Sequence, residues 1–162
     1  IVLAASAIPI GLLSIAMAIT FSPKFVWNAS ESAPIGLYYI NHRQPVLGEY
    51  ALIRPSNSVA IFIEDRGYLP PDTPLIKRIA ALPGDEICRD SEAILINKIH
   101  VTEAQETDTL GREMPQWSGC FTLKKDEVFL LNDHLRSLDG RYFGAANLID
   151  VIGVAVPVWV RG

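Results

Sequence analysis

The sequence predicts a mostly β protein, a folded-over or partly closed antiparallel sheet that follows one N-terminal transmembrane helix. Residues 1–21 contain no charged side chain. Short segments rich in Val, Ile, Tyr and Phe then alternate with Gly, Pro, Asn and Asp, which is typical of strands and turns. No later stretch has the sustained 3.6-residue apolar period of an amphipathic helix. We therefore expect a membrane segment over residues 1–21 and a β-rich domain over 22–162.

The apolar segment is long enough to cross a bilayer, since about 20 helical residues span the hydrocarbon core. Pro9 and Gly11 are tolerated in membrane helices. A cleavable signal peptide is the alternative, because Ala16, Met17 and Ala18 resemble a small-residue cleavage site. The length of the run favours a retained anchor, since the apolar core of a signal peptide usually has about 7–15 residues.

The globular part is predicted to consist of short strands joined by turns. The predicted strands cover residues 36–40, 49–54, 59–64, 75–82, 86–89, 93–101, 120–123, 128–132 and 148–160. Residues 22–30 are expected to form a polar connector. Residues 103–116 are polar and poor in β-formers, and we expect an exposed excursion or flap there.

Composition argues against several function classes. The net charge of −4 and the pI of about 5.3 argue against a nucleic-acid-binding surface. The histidines His42, His100 and His134 are scattered, and no Cys-x-x-Cys pair is present. We therefore expect neither a metal site nor a cofactor.

Cys88 and Cys120 form an even pair in a chain with features of export. A disulfide between them would contribute about 3–4 kcal/mol to stability in the chain-entropy model. Two buried free thiols are the alternative.

The first of three polar segments covers residues 28–38 and contains Ser30 and Ser32 shortly after the apolar run. Pro34 fixes its own φ and favours an extended residue before it, so the segment forms a stiff turn. A stiff turn can hold a serine hydroxyl at one angle, as a nucleophile requires. An ordinary turn is the alternative interpretation.

The second segment covers residues 75–85 and places Lys77 and Arg78 side by side in an apolar strand. Strand alternation sends the two side chains to opposite faces, so one of them faces the apolar side. Burial lowers the pKa of a lysine, and a neutral amine can act as a general base. A lysine that extends to the sheet edge is the alternative.

The third segment, residues 132–144, is dense in polar groups and closed by glycines, which predicts a loop. Asp139 and Arg141 can form an ion pair within it, and the Ser137 hydroxyl can donate a hydrogen bond nearby. A solvated loop without function is the alternative.

Together the three segments resemble the type I signal peptidase family. The resemblance rests on a serine box after a membrane anchor, Lys-Arg-x4-Pro-Gly-Asp over 77–85, and Ser-x-Asp-x-Arg-Tyr-Phe-Gly over 137–144. It implies Ser32 as nucleophile, Lys77 as general base, and an oxyanion hole formed by the Ser30 hydroxyl and the Ser32 N–H. It also implies that Ser137 orients the lysine amine and that Asp139 and Arg141 form a supporting ion pair.

The wording of the serine box departs from the general family, which usually has Met after the nucleophile. Here Ala33 follows Ser32, and Ser-x-Pro-x-Gly-Leu-Tyr over 32–38 is similar to the TraF subgroup, periplasmic proteases that mature pilin precursors in bacterial conjugation. The resemblance thus implies a domain on the periplasmic side of the inner membrane and an extended precursor polypeptide as substrate. Hydrolysis and cyclisation of the product both stay open. A housekeeping signal peptidase and a non-enzymatic periplasmic scaffold are the alternatives.

Overall fold

The computed structural model describes residues 24–161, and most of its regular structure is β. The strands are β1 (Phe25–Asn28), β2 (Gly36–Asn41), β3 (Tyr50–Ile53), β4 (Leu75–Ala81), β5 (Glu86–Asp90), β6 (Ala93–Ile96), β7 (Ile99–Glu103), β8 (Gly119–Thr122), β9 (Glu127–Leu130), β10 (Ala146–Asn147) and β11 (Val151–Val160). The expected anchor over residues 1–21 lies outside the described residues. Within residues 24–161, no helix is long and apolar enough to cross a membrane.

The strands are divided between two antiparallel sheets. The larger sheet has the order β1-β2-β11-β3-β4-β9-β10, and the smaller one has the order β7-β6-β5-β8. Every strand pair in both sheets is antiparallel. The prediction of a mostly β, antiparallel domain is therefore confirmed.

A helix replaces the strand predicted over residues 59–64. Helix α1 (Asn57–Asp65) buries Ile63, and its Phe62 ring packs against Phe143 at 5.5 Å and Tyr68 at 5.9 Å between ring centroids. A short apolar run is ambiguous between helix and strand, and tertiary packing decides its state. The expectation that no helix follows residue 21 was wrong. Two shorter elements also occur, a helical turn α2 (Gly140–Phe143) and a 3₁₀ turn (Leu148–Asp150).

The structure also adds one strand to the predicted set and divides another. The connector expected over residues 22–30 contains β1, which pairs with β2 from Phe25 opposite Tyr39 to Asn28 opposite Gly36. Such a short strand has little local signal and forms because β2 supplies its partner. The single strand predicted over 93–101 is two strands, separated at Asn97 and Lys98, which both have positive φ.

Residues 103–116 are mostly exposed, as expected, but two buried residues anchor the segment to the domain. Ala104 and Met114 are buried, and the backbone N–H of Gln105 donates to the Tyr142 hydroxyl at 3.1 Å. Polar composition hid these anchors because small and polar residues dominate the segment. The segment is therefore packed against the rest of the domain.

The disulfide partners expected from the sequence are joined in the smaller sheet. Cys88 on β5 lies directly opposite Cys120 on β8, with Cα atoms 4.1 Å apart, and the two Sγ atoms are bonded. The bond links the two strands at neighbouring positions of the ladder. Neither cysteine lines the cavity described below.

Candidate active site

Lys77 lies in the middle of β4, opposite Ala51 on β3, and only 3% of it is exposed. Its Nζ donates a hydrogen bond to Ser137 Oγ at 2.8 Å. Burial lowers the pKa of Lys77 to about 8, although the negative charge of Asp139 acts in the opposite direction and Arg141 lowers it further. The amine is thus easier to deprotonate than an ordinary lysine.

Arg78, the next residue on β4, points away from this buried position. Its guanidinium donates to Asp133 at 2.5 Å and to the Tyr50 hydroxyl at 3.2 Å, and 34% of its side chain is exposed. The two side chains therefore lie on opposite faces, as the sequence predicts, with the lysine inside and the arginine partly exposed.

Asn132 holds β4 in place on both sides of Lys77. Its side-chain oxygen accepts from the backbone N–H of Arg78 at 2.9 Å, and its amide nitrogen donates to the Ile76 carbonyl at 3.0 Å. These two bonds continue the pairing beyond the end of β9. No role was predicted for Asn132 from the sequence, although an asparagine at the end of a predicted strand was the available signal.

Asp139 and Arg141 form a fully buried ion pair beside the lysine. Arg141 Nε lies 2.8 Å from Asp139 Oδ1, and both side chains are 0% exposed. Arg141 also donates to the carbonyls of Asn132 at 2.7 Å and Leu135 at 3.1 Å, which holds the loop between β9 and α2. Within residues 24–161, Asp139 makes no ion pair with Lys77.

Ser30 and Ser32 lie in the turn between β1 and β2, and their Oγ atoms are 2.8 Å apart. The side chain of Asn28 organises this turn, because its Oδ1 accepts from Ser30 N at 3.1 Å while its Nδ2 donates to the Ala33 carbonyl at 2.9 Å. Such side-chain bonds to nearby backbone are typical of asparagine in turns. Asn28 is a second residue to which the sequence analysis assigned no role.

Gly36 permits the close approach of β11 to the end of this turn. A Cβ at this position would lie 2.1 Å from the Trp159 carbonyl oxygen, so no larger residue fits. The serine turn is therefore tied to the sheet within a few residues of Ser32.

A cavity of about 630 Å³ brings the predicted residues together. Ser30, Ser32 and Lys77 all line it, and Ser137 contacts the lysine amine. No hydrogen bond of the described chain joins Lys77 to Ser32. A buried amine of lowered pKa and two hydroxyls on one cavity can support proton abstraction and acyl transfer.

The described residues offer little for a metal ion. One grouping of metal-ligand side chains occurs in residues 24–161, formed by Glu86, Cys88 and Cys120. The two cysteines are bonded to each other and provide no thiolate ligand.

Comparison with known proteins places this geometry in a family. The model of the family described as signal peptidase, peptidase S26, matches residues 1–160. A plasmid transfer protein TraF from Escherichia coli is 32% identical over 143 residues, which cover 81% of this chain and 80% of that protein. A conjugal transfer protein TraF from Agrobacterium fabrum (strain C58 / ATCC 33970) is 30% identical over 144 residues, 82% of this chain and 80% of that protein.

Among solved structures, a signal peptidase I from Enterococcus faecalis V583 aligns with a TM-score of 0.42 and 19% identity, covering 70% of this chain and 98% of that chain. The assignment of the family rests on the sequence match over residues 1–160 and on the TraF relatives. The chain belongs to the signal peptidase S26 family, with conjugal transfer proteins TraF among its relatives.

Proposed function

We propose that the chain is a serine endopeptidase that cuts exported precursor polypeptides, with Ser32 as nucleophile and Lys77 as general base. The observation that carries the proposal is the Lys77 amine, which is buried, has a pKa lowered to about 8, and shares a cavity with Ser30 and Ser32. A serine hydroxyl is a weak nucleophile on its own and needs an adjacent base.

In the proposed reaction, Ser32 Oγ attacks the scissile carbonyl carbon while its proton passes to the neutral Lys77 Nζ. The Ser32 hydroxyl is hydrogen-bonded to Ser30 and not to Lys77, so Oγ must turn toward the amine when substrate binds. The Ser30 hydroxyl and the Ser32 N–H then donate to the oxyanion. Lys77 protonates the leaving amine, the C–N bond breaks, and an acyl-serine ester remains.

The remaining residues of the site act through Lys77. Ser137 accepts a hydrogen bond from the lysine amine and thereby fixes its direction. The Asp139–Arg141 pair holds the loop that carries Ser137. The carboxylate oxygens of Asp139 accept hydrogen bonds from Arg141 and from the backbone N–H of Asn132. Asp139 therefore does not tie the lysine in its protonated form.

The TraF relatives, named for plasmid and conjugal transfer, support a role in a conjugation system. Within it we propose pilin maturation, which the resemblance of the serine box implies. The acyl-enzyme is resolved either by water or by an amine of the substrate, which would cyclise the product. The mass of the mature product distinguishes these outcomes, because cyclisation yields a chain lighter by one water than the hydrolysed product.

We place the domain at the membrane on the periplasmic side. The charge-free residues 1–21 and an aromatic patch on the larger sheet support the position at the membrane. Phe25, Trp27, Tyr39 and Trp159 share one face, and the rings of Trp27 and Trp159 stack with centroids 5.7 Å apart. Exposed aromatic rings of this kind suit the membrane–water interface. Membrane fractionation and protease accessibility of the full chain in spheroplasts test this; a soluble or protease-shielded domain would contradict it.

The test of the catalytic proposal is processing of a co-expressed pilin precursor. Ser32→Ala and Lys77→Ala should each abolish processing, and Lys77→Arg should fail as well because a guanidinium does not deprotonate. The exposed Ser118→Ala and Lys125→Ala serve as matched controls and should process normally. Lys77→Ala with more than about a tenth of wild-type activity would contradict the dyad, since general-base contributions are about 10²–10⁴-fold.

A housekeeping signal peptidase is the second candidate, and the family description favours it. Purified protein should be given a pilin precursor and an ordinary secretory precursor side by side. Cleavage of the secretory precursor alone would favour the housekeeping role. If Ser32→Ala still supported pilus assembly, the third alternative, a non-enzymatic scaffold, would stand instead.

A further inference from the structure

Arg136 lies in the loop between β9 and α2 and lines the same cavity as Ser30 and Ser32. Both of its neighbours are hydrogen-bonded through their backbone: the carbonyl of Leu135 accepts from Arg141 at 3.1 Å, and the N–H of Ser137 donates to the His134 carbonyl at 3.0 Å. The Arg136 N–H itself donates to His134 Nδ1 at 3.2 Å. The guanidinium is therefore carried by a well-held stretch of backbone, one residue from the partner of the buried amine.

The charges that line the cavity are unequally partnered. Asp108 accepts from the Tyr68 hydroxyl at 2.5 Å and from Arg112 Nε at 2.7 Å, so its negative charge is compensated. Lys77 is buried and bonded to a neutral hydroxyl. Within residues 24–161, the exposed guanidinium of Arg136 makes no hydrogen bond and no ion pair.

This arrangement differs from that of the neighbouring arginines. Arg78, Arg112 and Arg141 each pair with a carboxylate of the chain. The negative residue nearest in sequence to the two serines, Glu31, is exposed and does not line the cavity. In a chain of net charge −4, the cavity thus presents a positive group with free donors.

We propose that Arg136 binds a carboxylate of the polypeptide substrate close to the bond that is cut. A guanidinium offers planar, paired N–H donors that match a carboxylate, and such charge-assisted bonds are stronger than neutral ones. The carboxylate belongs either to an acidic side chain or to a nearby free C-terminus of the substrate. The inference rests on the proposed peptidase function, because it assigns a recognition role in the same cavity.

The probe is a set of synthetic decapeptides with small residues around the central bond, in which Glu, Gln or Lys is placed at each flanking position in turn. Each peptide is made with a free carboxylate and with a carboxamide terminus. Wild-type full chain should cleave one Glu peptide, or the free-acid form of one peptide, about tenfold faster than its neutral counterpart. The first result assigns the carboxylate to a side chain and the second to the chain end.

Variants connect the preference to Arg136. Arg136→Gln should bring the ratio of acidic to neutral cleavage close to one, and Arg136→Glu should reverse it in favour of the Lys peptide. Lys125→Gln removes one exposed positive charge outside the cavity and should keep the wild-type ratio. Equal cleavage of acidic and neutral peptides by the wild type, or an unchanged ratio in Arg136→Gln, would overturn the inference.

A binding measurement separates this inference from the proposed function. Fluorescence anisotropy with labelled Glu and Gln peptides is carried out on the Ser32→Ala chain, whose result does not depend on catalysis. Tighter binding of the acidic peptide that is lost in Ser32→Ala with Arg136→Gln supports the recognition role, even if no peptide is cleaved. Equal binding of both peptides overturns it, even if Ser32 proves to be the nucleophile.

Discussion

Two of the buried cations among residues 24–161, Arg141 and Lys77, have opposite surroundings. Arg141 is 0% exposed and is paired with the carboxylate of Asp139. Lys77 is 3% exposed and is bonded to the neutral hydroxyl of Ser137. A carboxylate partner stabilises the charged form of a buried cation, which then acts as a fixed structural charge. A neutral hydroxyl does not stabilise the charge in this way, so burial can favour the neutral form.

Asp139 affects Arg141 and Lys77 in different ways. Its charge raises the pKa of Lys77, but burial outweighs this effect and the pKa still falls to about 8. Since its oxygens are bonded to Arg141, Asp139 influences the lysine from a distance and makes no ion pair with it. The domain thus contains a fixed charge and a titratable one side by side.

The largest expected effect comes from removal of the structural partner. Asp139→Asn should lower the free energy of unfolding by about 3–5 kcal/mol, because it leaves the charge of Arg141 buried without its counter-ion. Urea denaturation followed by tryptophan fluorescence measures this. A loss below about 1 kcal/mol would mean that the neutral amide supports Arg141 as well as the carboxylate does.

The opposite effect on the free energy of unfolding is expected when the other buried cation, Lys77, is removed. Lys77→Met should raise the free energy of unfolding by about 1–3 kcal/mol at neutral pH, because the native state no longer has to bury an amine. The folded pKa of about 8 lies below the unfolded value near 10.5, so the unfolded chain binds more protons between these values. Wild-type stability should therefore rise with pH across that window.

The gain from Lys77→Met should accordingly shrink between about pH 8 and pH 10.5. Urea titrations at several pH values provide the test. A gain that stays constant across the window would show that the lysine is not desolvated in the native state.

The pH dependence of catalysis is a third test of the difference between Lys77 and Arg141. If neutral Lys77 is the base, kcat/KM should rise about tenfold per pH unit below the pKa of about 8 and level off above it. Initial rates on a peptide substrate between about pH 6 and pH 9 measure the profile. A rate independent of pH over this range would remove Lys77 from the role of base.

The smallest effect is expected at the surface pair formed by Arg78 and Asp133. The Asp133 side chain is 80% exposed, so Asp133→Asn should change the free energy of unfolding by less than about 1 kcal/mol. The same urea titration compares it directly with Asp139→Asn. Equal losses in the two variants would mean that burial does not distinguish the two ion pairs.

The sequence indicates which residues lie together better than it indicates the elements around them. Ser32, Lys77 and Ser137 stand in segments whose polar content is hard to explain by strand packing. In the structure Ser32 and Lys77 line one cavity, and Ser137 is bonded to the lysine amine. The helix over Asn57–Asp65 was missed because its state depends on Phe62 packing against distant rings. The roles of Asn28 and Asn132 were missed because both act through bonds to backbone, which leave no periodic pattern in a sequence.

The side-chain amide of Asn132 affects how firmly the strand beside the cavity is held. A cleft in a sheet needs two strands to part, and parting normally leaves backbone groups in a buried place without partners. The Asn132 side chain supplies those partners at Ile76 and Arg78, so these backbone groups of β4 stay hydrogen-bonded beyond the end of β9. The Lys77 amine thus lines the cavity from a strand that keeps its backbone partners on both sides of the lysine.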